Sequence, residues 1–108
     1  MATAELAVAL PSLVLVLAVA LAAVDLGLTQ VRCVDAARLG ARLVARAEPQ
    51  SVVLGEVRSA APDGAAVVLG SSGDHGSVTV TGRAPAVLRY LGVDPPRATA
   101  VARLESAP

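Results

Sequence analysis

The chain has 108 residues, 55% of them hydrophobic and 1% aromatic, and its nine basic residues, all Arg, balance nine acidic ones. This length suits a single domain, and the balanced charge gives no basic field that would attract nucleic acid. One cysteine, Cys33, and one histidine, His75, exclude an internal disulfide and a four-ligand zinc site. We therefore expect no nucleic-acid partner, no cofactor and no metal.

An uncharged apolar run lies near the start of the chain. It extends from Leu6 to Val24, nineteen residues in which Ser12 is the only polar side chain. As a helix it would be about 28 Å long, close to the hydrocarbon thickness of a bilayer, so we predict a transmembrane helix over residues 6–24. A secretory signal peptide with Ala18-Val19-Ala20 or Ala20-Leu21-Ala22 as its cleavage motif is the alternative. However, no basic residue precedes the run, and the run is longer than a typical signal-peptide core.

Two residues mark the start of this run. Glu5 is the only charged side chain before Asp25 and directly precedes Leu6. It is either an N-terminal residue favoured by the helix dipole or a carboxylate that pairs with a positive group, because an unpaired charge at membrane depth is costly. Pro11 lies within the run and removes one backbone donor, which a membrane helix tolerates where its surroundings compensate.

The helical pattern continues past the apolar run to about Ala47, which predicts one long helix over residues 1–47. Its second half has two distinct faces. The polar face, here called the Arg stripe, consists of Asp35, Arg38, Arg42 and Arg46. The other, here called the small face, consists of Cys33, Ala37, Gly40 and Val44. Small side chains let another element approach a helix closely, so we expect this face to pack against the rest of the chain or against neighbouring subunits. Within it, Cys33 is expected to be a buried apolar residue.

Residues 48–108 predict a small head of mixed structure, which makes the fold class α+β. Pro49 to Ala60 is predicted to form a short helix, ended by the turn Pro62-Asp63-Gly64. Alternating or β-branched residues predict a three-stranded antiparallel sheet. Its strands are Ala65–Leu69, Ser77–Arg83 and Ala98–Leu104, with a long flexible hairpin loop at Gly70–Gly76 and a helical turn at Val87–Leu91. So short a head without Trp or Phe has a marginal core, and should bury surface against the long helix or a partner.

Residue types that carry catalysis are scarce. A serine, aspartate and histidine combination occurs only within Ser71, Ser72, Asp74 and His75. These residues adjoin one another in a Gly-rich loop, whereas a catalytic triad needs side chains that converge from different elements. No Gly-rich phosphate loop follows a strand and begins a helix. We predict that the protein is not an enzyme and has no small-molecule substrate.

Two segments of the N-terminal helix together resemble the TadE-like minor pilins of tight-adherence (Flp-type) type IV pili. One is Glu5 followed six positions later by Pro11 at the head of an apolar helix. The other is DAARLGAR at 35–42, which is similar to an AAR-x-GAR segment that follows the membrane helix in these proteins. QVRCVDAAR at 30–38, with the Lys-free composition, resembles the actinobacterial branch. The resemblance covers about residues 1–46, and the remainder is similar in layout only.

The resemblance implies assembly rather than catalysis. Such subunits are anchored by the N-terminal helix, cut after a glycine by a prepilin peptidase, N-methylated, and drawn into a filament whose core is a bundle of these helices. Met1 would then be the first mature residue, the site of processing and N-methylation. Glu5 would pair with an N-terminal amine in the apolar core. Pro11 and the small face would take part in helix packing against neighbours, and the Arg stripe would face water or acidic partner surfaces.

Membrane orientation depends on charges near the span. Arg32 and the arginines of the Arg stripe follow the span, and by the positive-inside rule alone they favour a cytoplasmic head. The resemblance favours a head outside, which an Arg-rich leader upstream would restore. We therefore expect a single-pass protein of the cytoplasmic membrane with an extracytoplasmic C-terminal head, or a subunit of an extracellular pilus.

The expected partners are the membrane, other pilin subunits, the pilus assembly machinery and, if a leader exists, a prepilin peptidase. Two alternatives remain. One is a single-pass membrane adaptor or regulatory protein that forms no filament. The other is a small secreted domain released by signal peptidase.

Overall fold

A computed structural model describes residues 2–104 and confirms the α+β prediction of a long N-terminal helix, a short helix and a three-stranded antiparallel sheet. In chain order the elements are α1 (Ala2–Ala45), α2 (Gln50–Ala60), β1 (Ala66–Ser72), β2 (His75–Thr81), α3 (Ala86–Tyr90) and β3 (Arg97–Arg103). The molecule is a rod of 80 × 22 × 15 Å, because the head packs beside one half of α1 and leaves the other half projecting.

Helix α1 is continuous through Pro11 and Gly27 and ends where the backbone of Ala47 becomes left-handed. The N–H of Glu48 donates to the carbonyl of Leu43 at 3.1 Å, and the N–H of Ala47 donates to that of Val44 at 3.0 Å. This pair of bonds is a Schellman motif, which satisfies carbonyls at the helix end and usually has glycine at the left-handed position.

Helix α2 begins after Pro49, whose carbonyl accepts the N–H groups of Val52 and Val53, and ends at Ala60 before Pro62. Its two fully buried residues, Val53 and Val57, are four positions apart and therefore lie on one face of the helix. That face packs on α1. The predicted helix is thus correct, except that Pro49 precedes its first turn.

The sheet has the order β1-β2-β3, with both pairings antiparallel. The predicted loop at Gly70–Gly76 is wrong, because β1 extends to Ser72 and β2 starts at His75, which leaves Gly73 and Asp74 as a two-residue turn. Gly73 has φ of 59°, the positive value that the first central position of a type II′ hairpin turn requires. The Ser- and Gly-rich composition suggested a loop, and the cross-strand pairing with β2 outweighs that local preference.

The core lies between α1 and the inner face of the sheet. It joins small residues of α1 to valines of α2 and β2, all nearly or fully buried. These residues are Cys33, Ala36, Ala37, Val53, Val57, Val78 and Val80. The inward face of α1 between Thr29 and Val44 therefore forms one hydrophobic core with the head.

Strand β2 runs antiparallel to α1. Gly76, near its start, lies against Val44, where an added Cβ would come within 2.6 Å of the Val44 side chain. Gly82, just past its end, lies against Thr29 and Cys33. The hairpin turn consequently lies beside the C-terminal end of α1, and the segment that holds α3 lies beside the middle of α1, nearest the projecting half.

Candidate assembly and membrane site on the long helix

The projecting half of α1 is an apolar cylinder. Between residues 2 and 24 every position is exposed on the single chain except Val19 and Ala22, which are half-buried. The large apolar side chains in this part are 56–70% exposed; they are Leu6, Val8, Leu10, Leu13, Val14, Leu15, Val16, Leu17, Leu21 and Val24. In the described part of the chain, α1 is the one helix long and apolar enough to cross a membrane, by length and composition.

The single polar side chain of the apolar run, Ser12, is satisfied by the helix itself. The hydroxyl of Ser12 donates a hydrogen bond of 2.8 Å to the carbonyl of Val8, one turn earlier. Its neighbour Pro11 has no N–H, so the carbonyl of Ala7 loses its usual helical donor. An internally bonded hydroxyl costs less to place in hydrocarbon than a free one, because no donor is left unpaired.

Glu5 lies in the first turn of α1 and is exposed on the single chain. An acidic residue there interacts favourably with the positive end of the helix dipole. Met1, the predicted site of processing and N-methylation, lies outside the described residues. The pairing of Glu5 with an N-terminal amine remains a prediction.

The small face lies against the head of the same chain. Cys33 and Ala37 are buried, and Gly40 is so tightly enclosed that an added Cβ would lie 2.7 Å from Cγ2 of Val57 and 2.8 Å from Cγ1 of Val78. Val44 is half-buried against the same core. Of the two partners expected for this face, the structure places the chain's own sheet and α2 there. The projecting half of α1, with Pro11, has no such cover from the head.

The Arg stripe is on the outside of the molecule. Its four members are all exposed, namely Asp35, Arg38, Arg42 and Arg46. Arg42 lies in the last turn of α1, where a positive charge stabilises the negative end of the helix dipole. The stripe thus exposes three arginines to solvent, on the side of the C-terminal half of α1 that faces away from the head.

Cys33 is a buried thiol in an environment that disfavours the thiolate. Its side chain is fully buried, and burial raises the pKa of the thiol above its ordinary value, while the nearby backbone N–H of Gly82 lowers it in part. Because the thiolate is the nucleophilic form, a raised pKa opposes reactivity. The thiol is free and fills the space between α1 and Gly82.

Gln30, which lies outside the sites predicted from the sequence, fixes the start of β3. The amide of Gln30 bonds both main-chain groups of Arg97, donating to its carbonyl at 3.0 Å and accepting its N–H at 3.0 Å. Arg97 begins β3, and within residues 2–104 no strand pairs with the outer edge of β3, so the Gln30 side chain takes the place of a neighbouring strand. The signal in the sequence is that Gln30 is the one glutamine between residues 2 and 45 and stands three positions before Cys33.

The residues of catalytic type lie at the surface of the hairpin. Ser71, Ser72, Asp74 and His75 are all exposed around the tight turn between β1 and β2. Within residues 2–104 no three His, Cys, Asp or Glu side chains are placed to hold a metal ion.

Comparison with known proteins gives one named relative. The chain is 46% identical over 77 residues to a Mycobacterium tuberculosis protein named apoptosis inhibitor Rv3655c, a match that covers 71% of this chain and 61% of the relative. The match thus spans less than two thirds of that relative's length. No family profile matches the sequence, and no solved structure matches it.

Proposed function

We propose that the protein is a TadE-like minor pilin, a structural subunit of a tight-adherence type IV pilus or a related secretion apparatus. The observation that carries the proposal is the division of α1 into two halves. The C-terminal half shares a core with the head, whereas the N-terminal half exposes its large apolar side chains on the single chain. An apolar surface of this extent in water is unfavourable, so it needs a membrane or other helices around it.

Assembly would exchange one apolar environment for another. In the membrane the N-terminal half of α1 contacts lipid, and in a filament it contacts the equivalent halves of neighbouring subunits. Because lipid tails are as apolar as leucine, moving the helix from lipid into a filament gains no hydrophobic free energy. The favourable free energy of assembly comes from close packing and from polar pairing. Glu5 supplies the polar term, since a carboxylate in an apolar bundle gains most when it meets an N-terminal amine.

The packing of the head on α1 determines which surfaces of the chain a neighbouring subunit can contact. The small face is occupied by the chain's own sheet, so it fixes the head on α1 rather than joining subunits. The projecting half and the Arg stripe remain exposed on the same rod. Neighbouring helices would pack on the first, and acidic surfaces of partner heads would meet the second.

The test is the replacement Glu5→Ala, with Glu56→Ala as the matched control because Glu56 is exposed on α2, away from the projecting half. We expect Glu5→Ala to insert into the membrane normally but to be lost from sheared filaments, since the pairing that fixes register is gone. Glu56→Ala should be incorporated as the unchanged chain is. Filaments that contain Glu5→Ala at the normal level would refute the role given to Glu5.

A second candidate function comes from the named relative. The 46% identity favours an inhibitor of apoptosis, the activity that the relative's name states. Expression of the chain in cells committed to apoptosis would test it. Reduced cell death that persists in Glu5→Ala would show an activity independent of assembly, whereas unchanged cell death would remove this candidate.

A further inference from the structure

The segment that carries α3 holds much of the exposed apolar surface of the head. Seven large apolar side chains outside α1 are exposed within residues 2–104, and four of them belong to this one segment. They are Val87, Tyr90, Leu91 and Val93, here called the apolar turn. Tyr90 is the chain's only aromatic residue and is 92% exposed, and Leu91 is 65% exposed. Side chains of this kind are seldom grouped on a surface that faces only water.

The apolar turn lies at the level where the apolar run of α1 ends. Helix α3 packs against α1, and the side of α1 that faces the head is shielded from Gln30 through Leu26 and Ala22 to Val19, at spacings of four, four and three. Val19 is five residues before Val24, the end of the apolar run. The head therefore descends about 8 Å alongside the run, at 1.5 Å per residue.

We propose that the apolar turn is a second membrane contact, inserted at the boundary between the headgroups and the acyl chains of the bilayer that α1 spans. This inference rests on the membrane anchoring in the proposed function. A segment bound at this boundary buries its apolar side about 5–10 Å into it, which matches the depth to which the head descends alongside the run. A tyrosine, with an apolar ring and a polar hydroxyl, is a side chain favoured at that boundary.

The backbone of this segment is suited to a site where water is scarce. The N–H groups of Leu91, Gly92 and Val93 are each bonded within the segment, to the carbonyls of Leu88 or Arg89. Gly92, with φ of 80°, closes a Schellman motif at the end of α3. Polar main-chain groups satisfied in this way cost less at the edge of the hydrocarbon.

The charges beside the apolar turn fit an anionic lipid surface. Arg83 and Arg89 are exposed and lie on either side of Ala86, at the start of α3. Asp94 follows the turn and lines a shallow groove with Pro95 and Leu26 beside α1. The guanidinium groups of Arg83 and Arg89 are the kind of donor that binds lipid phosphates through paired hydrogen bonds.

Tryptophan fluorescence tests the contact, because the chain has no native Trp. Tyr90→Trp, Leu15→Trp and Val101→Trp would each be reconstituted as the full chain in vesicles of phosphatidylcholine and phosphatidylglycerol. The lipids would carry bromine either near the headgroup or near the end of the acyl chain. Leu15 is the deep reference, because it lies within the apolar run. Val101 is the reference outside the membrane, since it is 61% exposed on β3. It lies four residues after Arg97, which at the rise of a strand places it about 13 Å further from the membrane.

We expect the Trp of Tyr90→Trp to emit at a shorter wavelength than that of Val101→Trp and to be quenched mainly by bromine near the headgroup. The Trp of Leu15→Trp should be quenched mainly by bromine near the end of the acyl chain, and that of Val101→Trp by neither. If Leu15→Trp is quenched but Tyr90→Trp is not, the inference fails and the membrane anchor stands. Absence of quenching at Leu15 would overturn both. Equal shallow quenching at Val101 would mean that the whole head lies on the bilayer and that the apolar turn has no special part.

Discussion

At the scale of single residues, the close approach between α1 and the head depends on Gly40. A Cβ at this position would meet Val57 and Val78, both of them fully buried and branched at Cβ, so neither can move aside easily. The spacing of small residues in the sequence places Gly40 on the small face and so points to the residue at the contact. It left open which partner approaches, since a small surface accepts a sheet of its own chain or a helix of another.

We predict that Gly40→Ala lowers the free energy of unfolding of the head by about 1–3 kcal/mol, because overpacking outweighs the gain in helix propensity. Gly55→Ala is the matched control, since Gly55 lies in α2 with nothing within 4 Å of an added Cβ. That control should stabilise the head by about 0.5–1 kcal/mol. Denaturant unfolding of the full chain in detergent micelles measures both variants, and equal effects would contradict the close approach.

Gln30 provides a second prediction at this scale. Replacing it with Ala removes both hydrogen bonds to the main chain of Arg97 and should cost about 1–2 kcal/mol of stability. Gln50→Ala makes the same chemical change at an exposed position and should be nearly neutral. Faster amide hydrogen exchange confined to the start of β3 in Gln30→Ala would locate the effect, and unchanged exchange there would count against the contact.

At the scale of elements, the sequence predicted the helices and the number of strands well, because apolar spacing and proline positions act locally. The hairpin was predicted less well. Ser71, Ser72 and His75 have the composition of a loop, yet they pair with the neighbouring strands. Such pairing is a non-local effect, which composition alone does not reveal. The clamp of Gln30 on Arg97 was missed for the same reason, since those residues are 67 positions apart.

The end of α1 gives a prediction of its own. Both α1 and α3 end in a Schellman motif, but the left-handed residue is Gly92 in α3 and Ala47 in α1. An alanine there has a steric cost that glycine avoids. We expect Ala47→Gly to raise the free energy of unfolding by about 0.5–1 kcal/mol. A thermal unfolding scan that shows a lower midpoint for Ala47→Gly would contradict this description of the helix end.

At the scale of the whole molecule, the protein is one rod whose two halves have different surfaces. Its C-terminal half carries a head that completes its own core with residues of α1, and its N-terminal half has an apolar surface without cover on the single chain. The sequence predicted both halves from hydropathy and from the spacing of small residues. How deep the head descends along α1 could not be predicted, because it depends on the contact of α3 with α1.

The central claim is that the projecting half of α1 packs against other helices in an assembly. Photo-crosslinking in cells that make the chain tests it most directly, with a benzophenone amino acid at Leu13, which is 64% exposed on α1, or at Thr99, exposed on the outer face of the sheet. We predict that Leu13 forms adducts with another protein that has an apolar N-terminal helix, and that Thr99 does not. Adducts of Leu13 with lipid alone would contradict the claim.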